Sequence, residues 1–147
     1  MFAIRPLLRR LTHGVTLGVR VMVIDAQDQV LLVRHGYAPG WHFPGGGVDA
    51  GEAADVAARR ELKEEANVQA TGPLHLQGLY FNPRFGNRDH VACYRVPDFV
   101  CGPPPRPSFE IADLGFFPLK SLPAETSPGT RRRLDEMAGR ASVSGLW

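Results

Sequence analysis

The chain has 147 residues, which suits one domain, and its apolar and charged fractions are ordinary for a soluble globular protein. A formal charge of +2 is too small to argue for a nucleic-acid partner. The basic residues are nearly all arginine, Lys63 and Lys120 being the only lysines. Arginine matches phosphate geometry better than lysine does, although a codon bias gives the same composition. No apolar run approaches the length of a transmembrane helix. The N-terminal MFAIRPLLRRLTHG is broken by Arg5, Pro6, Arg9 and Arg10 and lacks the apolar core of a secretory signal. Cys93 and Cys101 form neither a metal-ligand pattern nor a disulfide framework, so a reducing, cytoplasmic location is the default expectation.

In chain order, residues 1–14 read as a short basic lead-in of a helical turn or two. Val15 to Ile24 is rich in β-branched residues and predicts a strand. Asp25 to Gln29 is a turn signal and Val30 to Val33 a second apolar run, so the two predict a hairpin. HGYAPGWHFPGGGVDAGE is too dense in glycine and proline for regular structure and predicts a long shaped loop. Glu52 to Ala66 predicts a helix, with Glu52 in its first turn favouring the dipole and Asn67 as the left-handed residue that ends it. Leu74 to Phe81 and His90 to Val96 predict strands joined by the polar turn NPRFGNRD. Cys101 to Ser108, with its prolines, is a stiff connector. Leu114 to Leu119 predicts a short strand and Thr130 to Arg140 a last helix after Pro128-Gly129. Residues 141–147 form a tail. Without strict βαβ alternation, the fold class is α+β, a mixed sheet flanked by helices over a single domain at 15–140.

The chemistry lies in Gly46 to Val68. Glu61, Glu64 and Glu65 stand at i, i+3 and i+4, within an arc of roughly 100° on a helix. Carboxylates so placed repel, and a hard divalent cation offsets that repulsion, since Mg²⁺ takes oxygen ligands from few carboxylates, water and substrate phosphate. Ala54, Ala57 and Ala58 share the arc and leave room for the preceding loop. Leu62, Ala66 and Val56 are expected to face the core. Arg60 is placed to clamp Glu52 or the loop, bidentate pairing being the natural way to fix a carboxylate. Gly45, Gly46 and Gly47 let backbone approach an ion closely. An acidic helix face alone is ordinary solvated surface; the triple glycine, Glu52 upstream and Arg60 adjacent make this one different.

This stretch resembles the Nudix family signature: glycine, five residues, glutamate, seven residues, then Arg-Glu-apolar-any-Glu-Glu-any-Gly-apolar. Here Gly46 and Glu52 lead to Arg60-Glu61-Leu62-Lys63-Glu64-Glu65-Ala66-Asn67-Val68, with Asn67 alone replacing the final glycine. The resemblance extends to Leu31-Leu32-Val33-Arg34, to GWHFPGGGVDAGE, and to Glu110 with Phe116-Phe117-Pro118-Leu119, roughly Val15 to Leu122. It implies a Nudix-type α/β/α sandwich with a mixed central β-sheet, and hydrolysis of a pyrophosphate bond by water with Mg²⁺, or Mn²⁺ in its place.

The same resemblance implies metal ligands at Gly46, Glu52, Glu61, Glu64 and Glu65, with Arg60 as support. Glu61 is a candidate to activate the attacking water, and Glu110 a candidate extra ligand or base. Arg34, Tyr37, Arg84 and Arg88 are candidates for substrate. Among aromatics and histidines, Tyr80, His35, His42 and His90 stay open, while Trp41 and Phe81 read as core. The expected partner is a small-molecule nucleoside diphosphate derivative, ADP-ribose or a nucleoside diphosphate sugar first and a nucleoside triphosphate next, with no membrane and no nucleic acid. A homodimer is left open: the lead-in and the tail ending Gly145-Leu146-Trp147 either serve an interface or are frayed. A non-catalytic sensing domain, a hydrolase of RNA 5′ ends and a purely structural module are the competing readings.

Overall fold

The computed structural model describes residues 13–147; the reading of a helical lead-in at 1–12 lies outside the described residues. A four-stranded mixed sheet is built from β1 (Thr16–Val23), β4 (Gly45–Gly47), β6 (His75–Asn82) and β7 (Asp89–Val96) in the order β4-β1-β7-β6. β1 runs parallel to β7 and antiparallel to β4. A three-stranded antiparallel sheet sets β2 (Gln29–His35) between β3 (Trp41–His42) and β9 (Ile111–Pro118). The helices are α1 (Ala54–Ala66) and α2 (Pro128–Met137).

β1 shows why the layers stack as they do. Its side chains alternate across the sheet. Val19, Val21 and Val23 pack with Ala57, Ala58 and Leu62 of α1. Met22, on the opposite face, packs with Leu32, Tyr80, Cys93 and Leu134 of α2. The sheets are covered on both sides, which gives the expected α/β/α layering and explains why β1 reads as a nearly continuous apolar run.

The expected hairpin between β1 and β2 does not form. Asp25 makes the turn, its Oδ1 accepting from the Gln27 and Gln29 N–H groups at 2.9 Å each, but only Ile24 and Val30 bridge across it. Both edges of β1 are already taken by β4 and β7, so β2 is sent into the second sheet. The glycine-rich loop is interrupted by β3 and β4, which pin it to β2 and β1. A further short pair, β5 (Val68–Ala70) with β8 (Phe99–Cys101), forms where no strand was expected.

α1 begins at Ala54, so Glu52 precedes it and Asp55 is the acid of its first turn. Its end is as expected: Asn67 is left-handed at φ 51° and its N–H returns to the Lys63 carbonyl at 3.0 Å. Val56 is not a core residue; it is half exposed, while Ala57 and Ala58 are fully buried. Small side chains on this arc therefore bring α1 against the sheet as well as leaving space for the loop. α2 starts two residues earlier than expected, because Ser127 caps the Thr130 N–H at 3.2 Å and Pro128 occupies the first turn.

The tail is packed, not frayed. The Phe81 N–H donates to the Gly145 carbonyl at 2.8 Å and the Trp147 N–H to the Phe81 carbonyl at 2.9 Å, so the tail pairs in parallel with the outer edge of β6. The Trp147 ring meets Tyr80 edge-on, with centroids 5.8 Å apart.

Cys93 is fully buried and its thiol is pushed up to about 12, chiefly by burial, whereas Cys101 is exposed. A thiol-reactive dye at pH 8.5 should therefore titrate one thiol per native chain, and the second only in denaturant. Two thiols reacting in the native protein would contradict this packing.

Candidate active site

The first turns of the site are made by backbone. Gly45 and Gly46 of β4 lie opposite Arg20 and Val19 of β1. A Cβ at Gly45 would run into the Val19 carbonyl, so only glycine lets β4 approach this closely. A Cβ at Gly46 would sit 2.5 Å from Glu61 Oε1, so the strap and that carboxylate share one space. α1 then presents its glutamates along the strap.

Each carboxylate is held differently. Arg60 pairs with Glu52 through two nearly parallel bonds, Nε to Oε2 at 2.8 Å and Nη2 to Oε1 at 2.9 Å. The same guanidinium reaches Glu61 at 2.9 Å, Glu64 at 3.4 Å and the Gly47 carbonyl at 3.2 Å. Glu65 is buried; Oε2 accepts from the Gly45 N–H at 3.0 Å and Oε1 lies 3.2 Å from His35 Nε2. Glu64 is the open one, its side chain 59 % exposed.

The electrostatics follow from these contacts. The hydrogen bond from Arg60 pulls the Glu52 carboxyl below its ordinary value. Glu61 moves the other way: burial raises it, Arg60 opposes, and the charges of Glu65 and Glu64 add to the rise. Among the described residues no three His, Cys, Asp or Glu side chains converge on one point, because Arg60 stands between them. The donor set nevertheless fits Mg²⁺ or Mn²⁺: hard carboxylate oxygens crowd at Glu61, beside a glycine backbone with no Cβ to exclude an ion.

Glu61, Glu64 and Glu65 border a cleft of about 240 Å³ closed on its far side by Arg106, Ser108 and Glu110. Glu110 thus faces the box from β9's approach. On the other side of the His35–Glu65 pair lies a cavity of about 650 Å³. Tyr37, Arg84, Phe85, His42 and Trp147 are among its walls.

Of the residues expected to meet substrate, Tyr37 and Arg84 line this cavity. Arg34 does not; it points toward Asp113, 4.0 Å away, and over Trp41, 5.7 Å from the ring centroid. Arg88 lies at the surface, reaching the Gly14 carbonyl at 3.5 Å. Trp41 packs on Phe117 and belongs to the core. Tyr80 is fully buried: its hydroxyl donates to Glu136 Oε2 at 3.0 Å and is pushed up to about 12, burial leading and Glu136 adding. Phe81 pairs with His90, 5.6 Å between centroids, away from the cavity. Sequence reasoning missed Arg20, Asn82, Arg132 and Trp147, all of which line the cavity. An arginine inside a run of valines was the one available signal for Arg20.

The family model described as NUDIX domain matches residues 14–137, and the chain belongs to the Nudix family. The crystal structure of the MutT NUDIX hydrolase from Burkholderia pseudomallei superposes with a TM-score of 0.71 at 25% identity, covering 82% of this chain and 95% of that one. A Bacillus subtilis protein named "Putative 8-oxo-dGTP diphosphatase" is 40% identical over 76 residues, 52% of this chain and 50% of its own length. An RNA pyrophosphohydrolase of Caulobacter vibrioides is 62% identical over 54 residues, 35% of this chain and 31% of its own. The chain thus matches about half or less of these two relatives' length.

Gly46 and Gly45 separate stability from geometry. Gly46→Ala presses only on the mobile end of Glu61, so unfolding should shift little while hydrolytic turnover falls at least about tenfold. Gly45→Ala presses on backbone, and circular dichroism should show a strongly destabilised or unfolded chain. Equal behaviour of the two variants would contradict this reading of the strap.

Proposed function

We propose that this chain is a divalent-metal-dependent hydrolase that cleaves the pyrophosphate bond of a nucleoside diphosphate derivative. The observation that carries the reading is the gathering of Glu61, Glu64 and Glu65 beside Gly46, next to a cavity of nucleoside size. Glu61, Glu64, Glu65 and the Gly46 carbonyl would hold Mg²⁺ or Mn²⁺, with Glu52 as a less direct member. When bound, such an ion neutralises phosphoryl oxygens and makes water a better nucleophile.

The chain's own residues do the rest. Arg60 would keep Glu52 and so hold the strap, while releasing Glu61 and Glu64 to face the ion rather than the guanidinium. His35 and the Gly45 N–H hold Glu65 in one orientation. Water adds to one phosphorus, the bridging P–O bond breaks, and a carboxylate takes the proton. Glu61 suits that role because burial raises its pKa and makes it the more basic carboxylate; Glu110, across the cleft, is the other candidate acceptor. Tyr37, Phe85 and Trp147 give the cavity aromatic surface for a base or ribose.

ADP-ribose or a nucleoside diphosphate sugar is the leading substrate. A nucleoside triphosphate is the second reading, favoured by the similarity to the Bacillus subtilis relative. A cytoplasmic site of action remains part of the proposal.

Glu64→Gln keeps shape and removes charge, and Glu64 is the most exposed of the three. Turnover on an accepted substrate should fall at least about a hundredfold with an unchanged melting temperature. The assay is a panel of ADP-ribose, nucleoside diphosphate sugars, nucleoside triphosphates and 5′-triphosphate RNA, with Mg²⁺ and with Mn²⁺. Near-native turnover in the variant, or no hydrolysis of any compound by the unaltered chain, would sink the reading.

A further inference from the structure

Among the described residues, the cavity beside the glutamate box is lined by three arginines, Arg20, Arg84 and Arg132, and by no aspartate or glutamate. Arg132 is engaged by the Trp147 carbonyl. Arg20 and Arg84 have no carboxylate within ion-pair distance among the described residues.

Arg20 is the harder of the two to explain by folding alone. It sits on β1 between Val19 and Val21, which are 1% and 0% exposed. Its one hydrogen bond among the described residues runs from Nη1 to the Phe43 carbonyl at 3.1 Å, while a guanidinium carries five N–H donors. Burial pulls its pKa below the ordinary value; Glu65, then Tyr37, Glu61 and Asp89, oppose that without cancelling it. Arg20 is itself partly exposed, so its remaining N–H groups open onto the cavity with no carboxylate partner among the described residues.

The register fixes what Arg20 faces. It is the partner of Gly45, one residue from Gly46, and the Gly45 N–H is the group that holds Glu65. The Arg20 side chain leaves the sheet on the face opposite Val19 and Val21 and lines the cavity together with His35, and Glu65, on His35's other side, is the carboxylate whose charge it feels most. A diphosphate lying across the His35–Glu65 pair would have one phosphoryl group at the glutamates and the other within the cavity.

We propose that Arg20 receives the cavity-side phosphoryl group of the substrate on its free N–H edge, and so sets which phosphate stays with the fragment bound there. The assignment rests on the hydrolase reading of the site and sharpens it. Ligand supplies the anion that the fold withholds from Arg20. The glutamates and Arg20 then bracket the scissile bond with opposite charge, and a substrate must present two adjacent ionised phosphoryl groups to satisfy both.

The probe is inorganic pyrophosphate in EDTA, read by thermal unfolding and by titration calorimetry. Without metal the box repels the anion, so binding reports the arginine side. Pyrophosphate should raise the melting temperature of the unaltered chain. Arg20→Met should melt no lower than the unaltered chain without ligand, and should bind pyrophosphate at least about tenfold more weakly; Arg20→Lys, with charge but no fork, should fall between. Equal affinity in Arg20→Met and the unaltered chain overturns the proposal. So does absence of pyrophosphate binding in the unaltered chain. A fall of more than about 5 °C in the unliganded melting temperature of both Arg20→Met and Arg20→Gln also overturns it, since that marks a structural arginine. No arm requires turnover, so these outcomes are independent of whether Glu64→Gln abolishes hydrolysis.

Discussion

Negative charge held at short range is the constraint around which α1 and the glycine strap are arranged. Two unit charges about 4 Å apart repel by about 4 kcal/mol at an effective dielectric of about 20, a large share of a domain's net stability of roughly 5–15 kcal/mol. Four glutamates surround Arg60 and the strap, and the fold gives them unequal relief. Glu52 and Glu61 share Arg60. Glu65 goes inward to a backbone N–H and to His35. Glu64 is left mostly to water. The inequality matters chemically, because one carboxylate is fixed, one is poised between a guanidinium and its neighbours, and one is free to turn.

β1 ties this charge problem to the core. Its valines anchor α1, its backbone carries β4 and hence the strap, and its outward Arg20 reaches the cavity. A change in how α1 packs on Val19 or Val21 therefore moves Glu61 and Glu65 relative to Gly45 and Gly46. Full burial of Ala57, Ala58 and Leu62 makes such movement costly. Precision at the box is inherited from packing beneath it.

The parts of this arrangement that are local in sequence could be read from sequence. Spacing along one helix placed Glu61, Glu64 and Glu65 together, and Asn67 ended that helix as a left-handed residue. The bond from Arg60 to Glu52 could likewise be anticipated, since a turn and a helix set their distance. Non-local partners could not. Nothing in Val15 to Val33 says that β4 and β7 will occupy both edges of β1, so a hairpin looked natural. Arg34 and His35 differ by one position on β2 and so face opposite ways; the pleat gave the cavity to His35. The tail was illegible for the same reason, since Gly145 and Trp147 find their partner Phe81 some sixty residues back.

Arg133 shows how this fold treats a buried arginine whose role is structural. It is fully buried, its Nη2 donates to Glu136 at 2.9 Å, its Nη1 to the Leu146 carbonyl at 2.8 Å, and its guanidinium lies 3.8 Å over the Tyr80 ring. Glu136 also accepts from the Tyr80 hydroxyl and from the Ser144 N–H at 2.9 Å. One ion pair thereby fastens α2, β6 and the tail, and with the tail the Trp147 wall of the cavity. Removing either partner would leave the other charge buried and alone, which is far more costly than never having the pair. Arg20, on β1 and partly exposed, has no such carboxylate among the described residues. The contrast lies in the charge partner: Arg133 has a buried carboxylate in contact, although its Nε finds no acceptor, whereas the N–H groups that Arg20 leaves free open onto the cavity, where an anionic ligand would meet them.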